Sequence, residues 1–145
     1  MIKEDLDNLI KTSMKSGDQD RTNVLRAIKT KFMEVITAKN YDGTLDEIAV
    51  IRKMINDREN SARIYSKNYR DELATQELIE VSILKEFVPE NPSDNNISVA
   101  ISLLASEGIE ITQKNMGLIM KRMKNIYPYA DMKYIGNVIK EFINR

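Results

Sequence analysis

The sequence predicts an all-α protein, with an N-terminal helical part containing a long antiparallel helical hairpin, followed by a small C-terminal three-helix module. Three observations indicate this fold class. Apolar residues recur at spacings of three and four along most of the chain. Glycines and prolines are few, five and three in 145 residues. The strand-like alternation at residues 109–111 is too short to build a sheet.

The first two helices are predicted on either side of Gly17. An apolar stripe begins at Ile2 and ends before Gly17, a residue type that commonly terminates helices. Asp18 or Asp20 is placed to cap the second helix, because a carboxylate before a helix accepts hydrogen bonds from its first amides. The second helix is expected to stop at the turn-forming residues 40–43.

The third and fourth helices are predicted to form the hairpin. Thr44 and Glu47 have the spacing of a capping box, so Thr44 is expected to cap the third helix. The buried face of this helix is expected to consist of Ile48, Ile51, Ile55, Arg58, Ala62, Tyr65 and Tyr69. After a break at residues 70–71, the buried side of the fourth helix is expected to carry Ala74, Leu78, Val81, Leu84 and Val88.

Arg58 is the one charged residue on that otherwise core-compatible face. A guanidinium there needs a nearby carboxylate, since an unpaired buried charge is strongly destabilising. The following helix offers Glu77 and Glu80. We interpret Arg58, Glu77 and Glu80 as a structural buried charge cluster that fixes the register of the hairpin. The alternative is a polar cluster shaped for a ligand.

Two prolines within four residues mark the domain boundary, because proline does not continue a helix. The prediction is an N-terminal helical hairpin domain at residues 1–88, a proline-containing linker at 89–93 and the three-helix module at 94–145. Ser93, Thr112 and Asp131 are expected to cap the three helices of the module.

Composition excludes several kinds of active site. The chain has no histidine and no cysteine, which removes Ser-His and Cys-His nucleophiles, structural zinc and disulfides. The isolated glycines form no phosphate-binding loop, and no carboxylates have metal-ligand spacing. We therefore expect no catalytic residue, metal or cofactor. Without a long apolar run or a signal peptide, a cytoplasmic protein with no membrane partner is expected.

Positive charge is concentrated near the C-terminus. The formal net charge is zero, yet residues 112–145 carry seven basic and two acidic residues. The candidate nucleic-acid-binding residues are Lys114, Lys121, Arg122, Lys124 and Lys133, with Tyr127 and Tyr129. Lysines bind phosphates and tyrosines stack on unpaired bases. The alternative is that the lysines form a solvated surface and the tyrosines fill a gap between helices.

Residues of the hairpin also follow a recognisable order. They are Arg58-Glu59-Asn60-Ser61, Tyr65, Arg70, Leu73, Glu77, Glu80 and the run from Ile83 to Pro89. This order resembles the hairpin of the YqeY-like family. The opening helices agree through Met14-Lys15, Asp18, Arg21 and Leu25-Arg26. The C-terminal part agrees through Asn115-Met116-Gly117 and Ala130-Asp131.

The resemblance implies a C-terminal module similar to the tail of the B subunit of the tRNA-dependent amidotransferase. In that enzyme the tail helps to hold tRNA, whereas the chemistry, a carbon–nitrogen ligation with glutamine as amido donor, resides in domains that this chain lacks. The implied function is that of a non-catalytic accessory protein associated with tRNA or another RNA. The alternative is an adaptor that presents the hairpin to a protein partner, such as a synthetase or an amidotransferase assembly.

Overall fold

The computed structural model describes residues 1–145 and contains seven α-helices, which confirms the predicted all-α fold. The helices are α1 (Ile2–Ser16), α2 (Gln19–Ile36), α3 (Glu47–Lys67), α4 (Asp71–Lys85), α5 (Asp94–Ser106), α6 (Met116–Ile126) and α7 (Met132–Ile143). A 3-10 turn, Gln113–Asn115, precedes α6. None of the helices has both the length and the apolar character needed to cross a membrane.

The chain divides into two compact units, Met1–Val88 with α1 to α4 and Pro89–Arg145 with α5 to α7. In the first unit α3 packs along α4, and α2 packs on α1, α3 and α4. The core of this unit consists of Leu6, Val24, Leu25, Ile28, Phe32, Ile51, Met54, Ile55, Val81 and Leu84. In the second unit α7 packs on both α5 and α6. Its core consists of Ile97, Ala100, Ile101, Leu104, Ile119, Met123, Ile135 and Ile139.

Most helix ends lie where the local sequence predicts them, although α2 ends at Ile36, before the turn expected at residues 40–43. The side chains of Asp18, Ser93 and Asp131 each accept a hydrogen bond from a backbone N–H two or three residues later, at 3.0 to 3.1 Å. Gly17 and Gly108 follow the ends of α1 and α5 with positive φ angles of 74° and 91°. A side chain would be strained in this left-handed conformation, which explains glycine there.

The predicted cap at Thr44 is wrong. Helix α3 begins at Glu47, and Asp46 caps it by accepting a hydrogen bond from the N–H of Ala49 at 3.0 Å. The N–H of Thr44 instead donates to Asp42 Oδ1 at 2.9 Å. This contact closes a local turn and leaves Thr44 upstream of the helix. Likewise, Thr112 precedes the 3-10 turn and its side chain caps nothing.

Tyr69 does not lie on the buried face of the hairpin. It belongs to the connection between α3 and α4, and it is 93% exposed. The N–H of Arg70 donates to the carbonyl of Tyr65 at 2.8 Å, and the N–H of Tyr69 donates to that of Ser66 at 3.2 Å. This pair of bonds is a Schellman motif, which ends α3 at Lys67, two residues before the last position that the apolar spacing predicts.

Two residues predicted on the buried side of α4 differ from that expectation: Leu78 is 52% exposed, and Val88 follows the end of the helix at Lys85. The buried stripe of α4 runs through Ala74, Val81 and Leu84. Leu78 is displaced from the middle of this stripe by most of a quarter-turn of the helix. The face of α4 that packs on its neighbours is therefore narrower than the apolar sequence suggests, and Leu78 lies at its solvent edge.

A single carboxylate links the beginnings of two helices. Glu47, the first residue of α3, is only 8% exposed. Its Oε2 accepts a hydrogen bond from the N–H of Lys3 at 2.7 Å, and its Oε1 accepts one from the N–H of Ile2 at 3.3 Å. Helix α1 has no side-chain cap from its own first residues. Glu47 therefore satisfies amides that a helix start otherwise leaves without partners.

We expect Glu47→Ala to lower the free energy of unfolding by about 1–2 kcal/mol, because it removes both of these hydrogen bonds. Glu47→Gln should cost less, since its amide oxygen still accepts one bond. Urea denaturation measures both effects, with the exposed Glu59→Ala on the same helix as the control. Equal midpoints for Glu47→Ala and Glu59→Ala would contradict this role.

Candidate nucleic-acid interface

Three exposed lysines lie on α6 and on the turn that leads into it. Lys121 and Lys124 lie three positions apart on the helix, and Lys114 lies seven positions before Lys121, in the 3-10 turn that leads into it. Residues three positions apart share a helix face, so Lys121 and Lys124 are neighbours on α6, and Lys114 precedes them in the turn. All three side chains are exposed, and none forms an ion pair. We call these three residues the α6 lysine stripe.

The core of the second unit fixes the direction of this stripe. Ile119 and Met123 of α6 are fully buried, and Met116 and Met120 pack at the edge of the same core. These four residues occupy the side of the helix opposite Lys121. Burying them therefore turns Lys121 outward, and Lys124 is exposed at the flank of the buried side. The backbone beside the stripe is open at Gly117, where an added Cβ would meet nothing within 4 Å.

Arg122 differs from the lysines because it is held by a carboxylate. Its Nη1 lies 2.8 Å from Glu107 Oε2, and its Nη2 donates to Glu107 Oε1 at 3.1 Å. The hydrogen bond and then the charge of Glu107 raise the pKa of Arg122. This two-point pairing of a guanidinium with a carboxylate ties α6 to the residue that follows α5. Sequence reasoning missed Glu107, since nothing local in the chain relates it to Arg122.

The two tyrosines have different environments. Tyr127 is half-buried against the core of the second unit. Its hydroxyl donates to the backbone carbonyl of Asn96 at 3.3 Å, so Tyr127 packs between α6 and α5. Tyr129 is 66% exposed. The geometry thus favours the gap-filling interpretation for Tyr127 and leaves the ring of Tyr129 accessible from solvent.

The start of α7 is joined to the start of α5. The N–H of Asp131 donates to Asn91 Oδ1 at 2.8 Å, and the hydroxyl of Tyr134 hydrogen-bonds to Asp94. This hydrogen bond, with burial and the nearby negative charge, raises the pKa of Tyr134. Lys133 lies between Asp131 and Tyr134 in the sequence. Its side chain is exposed and forms no ion pair. It belongs to α7 and is therefore separate from the α6 lysine stripe.

Charge is unbalanced around the stripe. Residues 111–130 contain four basic residues and no acidic residue. Because Glu107 already neutralises Arg122, the net positive charge of this segment rests on the three lysines. An exposed surface of this kind attracts polyanions such as nucleic-acid phosphates.

The predicted charge cluster lies in the first unit, between α3 and α4. Arg58 Nε is 3.8 Å from Glu80 Oε2, and the two side chains are 20% and 21% exposed. Arg58 Nη1 also donates to the carbonyl of Met54 at 3.5 Å, whereas its Nε is buried without a hydrogen bond. Glu77 is half-buried on the same face of α4, and its charge acts on Glu80.

Burial is the main cause that raises the pKa of Glu80 above its usual value, and the charges of Glu77 and Asp20 add to this effect. The charge of Arg58 opposes it. A carboxylate with a partner only at 3.8 Å gains little to offset the loss of hydration. Neither here nor elsewhere in the chain is a group of three or more acidic side chains placed to hold a metal ion.

The sequence was compared with family models and with curated proteins. A family model described as "Yqey-like protein" matches residues 3–143, which is nearly the whole chain. No curated protein matches the sequence.

We expect the stability contributed by Glu80 to be lost as the pH rises. Its folded-state pKa is raised, so the folded protein holds the proton to higher pH than the unfolded chain does. The free energy of unfolding of the wild type, minus that of Glu80→Gln, should therefore fall over the pH range above 4.5, the ordinary pKa of a glutamate. Urea denaturation across this range measures the difference. A difference that grows with pH would show that the pairing with Arg58 outweighs burial.

Proposed function

The chain belongs to the YqeY-like family, and we propose that it is a non-catalytic accessory protein that binds RNA. The expected class of RNA is tRNA. The α6 lysine stripe is the proposed contact surface. The observation that carries this proposal is the exposure of three lysines without ion pairs within residues 111–130, a segment that contains no acidic residue.

We assign this function to fewer residues than the sequence suggests. Arg122 is engaged by Glu107 and Tyr127 by the core, so both position α6. Lys114, Lys121 and Lys124 are the phosphate contacts, and the exposed ring of Tyr129 is the candidate for stacking on an unpaired base. Lys133 contributes a further positive charge from α7.

The same proposal includes a relation between this chain and the tRNA-dependent amidotransferase. The family resemblance implies a C-terminal segment similar to the tail of the B subunit, and this expectation is the reason for proposing tRNA over other polyanions. The ligase activity associated with that enzyme depends on domains other than its tail. With no histidine or cysteine in the chain, the common nucleophile–base pairs are unavailable to it.

We expect Lys121→Gln/Lys124→Gln to weaken tRNA binding and to flatten its salt dependence. Each phosphate contact contributes about 0.7–0.9 to the slope of log K against log salt, so the double variant should lose roughly 1.5. Fluorescence anisotropy with labelled tRNA over a salt series measures both quantities. The matched control is Lys15→Gln/Lys39→Gln, which removes two exposed lysines from the first unit.

Two results would contradict the proposal. One is that the wild-type protein binds no tRNA even at low salt. The other is that both double variants lose affinity equally, which would indicate attraction by overall charge rather than by the α6 lysine stripe.

Exposed apolar side chains on α4 favour a second candidate function, that of an adaptor for a protein partner. Leu78 and Ile79 are 52% and 39% exposed on neighbouring positions of this helix. Exposed aliphatic side chains on a helix are typical anchors for protein contacts. The partner class suggested by the resemblance is an amidotransferase or synthetase assembly.

We expect Leu78→Ser/Ile79→Ser to abolish binding to a purified tRNA-dependent amidotransferase, measured by isothermal titration calorimetry, while Ser82→Ala, an exposed change on the same helix, leaves it intact. The physical reason is the loss of apolar area from the contact. If titration of the wild-type protein with the amidotransferase gives no heat of binding, the adaptor function is excluded for that partner.

A further inference from the structure

The turn at the end of the hairpin contains an unusual tyrosine. Tyr69 has a φ of 58°, and it is the one non-glycine residue in the chain with a positive φ. It occupies the position of the Schellman motif that usually holds glycine, because a side chain is strained there. Since the ring is 93% exposed, packing within the protein does not compensate for this strain. The fold therefore gives no reason for a tyrosine at this position.

The residues around Tyr69 are basic. Residues 60–70 contain Arg63, Lys67 and Arg70 and no acidic residue. None of the three cations forms an ion pair, although Asp71 and Glu72 follow directly in α4. The guanidinium of Arg63 bonds only to the neutral side chain of Asn60. We call Arg63, Lys67, Tyr69 and Arg70 the tip cluster.

The helix dipole explains only part of the tip cluster. Lys67 and Arg70 lie beside the last carbonyls of α3, where a positive charge is favourable. Arg63 lies a full turn earlier, outside the range of that effect. The dipole also gives no advantage to Tyr69 over glycine. A function that needs both the cations and the ring accounts for all four residues.

Single-stranded RNA has the chemistry that fits this combination. Its phosphates pair with exposed cations, and its unpaired bases stack on exposed aromatic rings. A protein partner would need a larger apolar surface, whereas the neighbouring apolar side chain with high exposure at this end of α3 is Ile64. A duplex would offer phosphates but no free base for the ring.

We propose that the tip cluster is a binding site for single-stranded RNA, in which a base stacks on Tyr69 while Arg63, Lys67 and Arg70 hold the adjoining phosphates. The site lies wholly in the first unit. It does not depend on the α6 lysine stripe, and either surface can bind RNA without the other.

The decisive variant is Tyr69→Gly in the full chain. It relieves the strained backbone and should therefore raise the melting temperature, while it removes the stacking surface and should weaken binding of a fluorescent 12-nucleotide single-stranded RNA by roughly fivefold or more. Tyr69→Phe keeps the ring and should bind as the wild type does. Arg63→Gln/Lys67→Gln should weaken binding and flatten its salt dependence.

A tip cluster with only a structural role gives a different result. Tyr69→Gly would then be more stable and would bind the RNA as tightly as the wild type, which would overturn the proposal. Failure of the wild type to bind the oligonucleotide at low salt would also overturn it and would favour a protein contact at the tip. Loss of binding in Lys121→Gln/Lys124→Gln but not in the tip variants would support the α6 lysine stripe alone.

Discussion

The packing of α3 along α4 determines where the other two helices of the first unit lie. A three-residue connection reverses the chain, and the small side chains of Ala62 and Ala74 are buried on facing helices. Helix α2 then packs on this pair, and α1 packs on α2. Within the seam, Arg58 and Glu80 are close enough to pair but too far apart for a strong hydrogen bond. Such a pair contributes little net stability, because the loss of hydration offsets the attraction between the charges.

Local signals in the sequence predicted the fold class and most helix ends, since a cap and its amides lie within three residues. What the sequence did not reveal were contacts between distant residues. Glu47 has the spacing of a local capping residue, yet its carboxylate caps α1 across more than forty positions. Tyr69 continues the apolar spacing of α3, but backbone hydrogen bonds end the helix before it. Leu78 is apolar, and only the width of the α4 contact decides that it is exposed.

In the candidate interface, too, local signals predicted some features, whereas others depend on contacts between distant residues. Composition identified the basic C-terminal segment, and helical periodicity is enough to place Lys121 and Lys124 on one face. The pairing of Arg122 with Glu107 and the hydrogen bond of Tyr127 to Asn96 depend on how α5 and α6 pack. These contacts separate side chains that orient the helix from those that face solvent. The tip cluster escaped sequence reasoning because its tyrosine was assigned to the core.

The Glu47 contact also bears on local opening. Amides in the first turn of a helix ordinarily exchange with solvent early, because the end of the helix frays independently of the rest. The amides of Ile2 and Lys3 are bonded to a side chain that belongs to α3. Their release therefore requires displacement of a buried carboxylate rather than fraying alone. The beginnings of α1 and α3 are thus coupled into one cooperative element, although more than forty residues separate them along the chain.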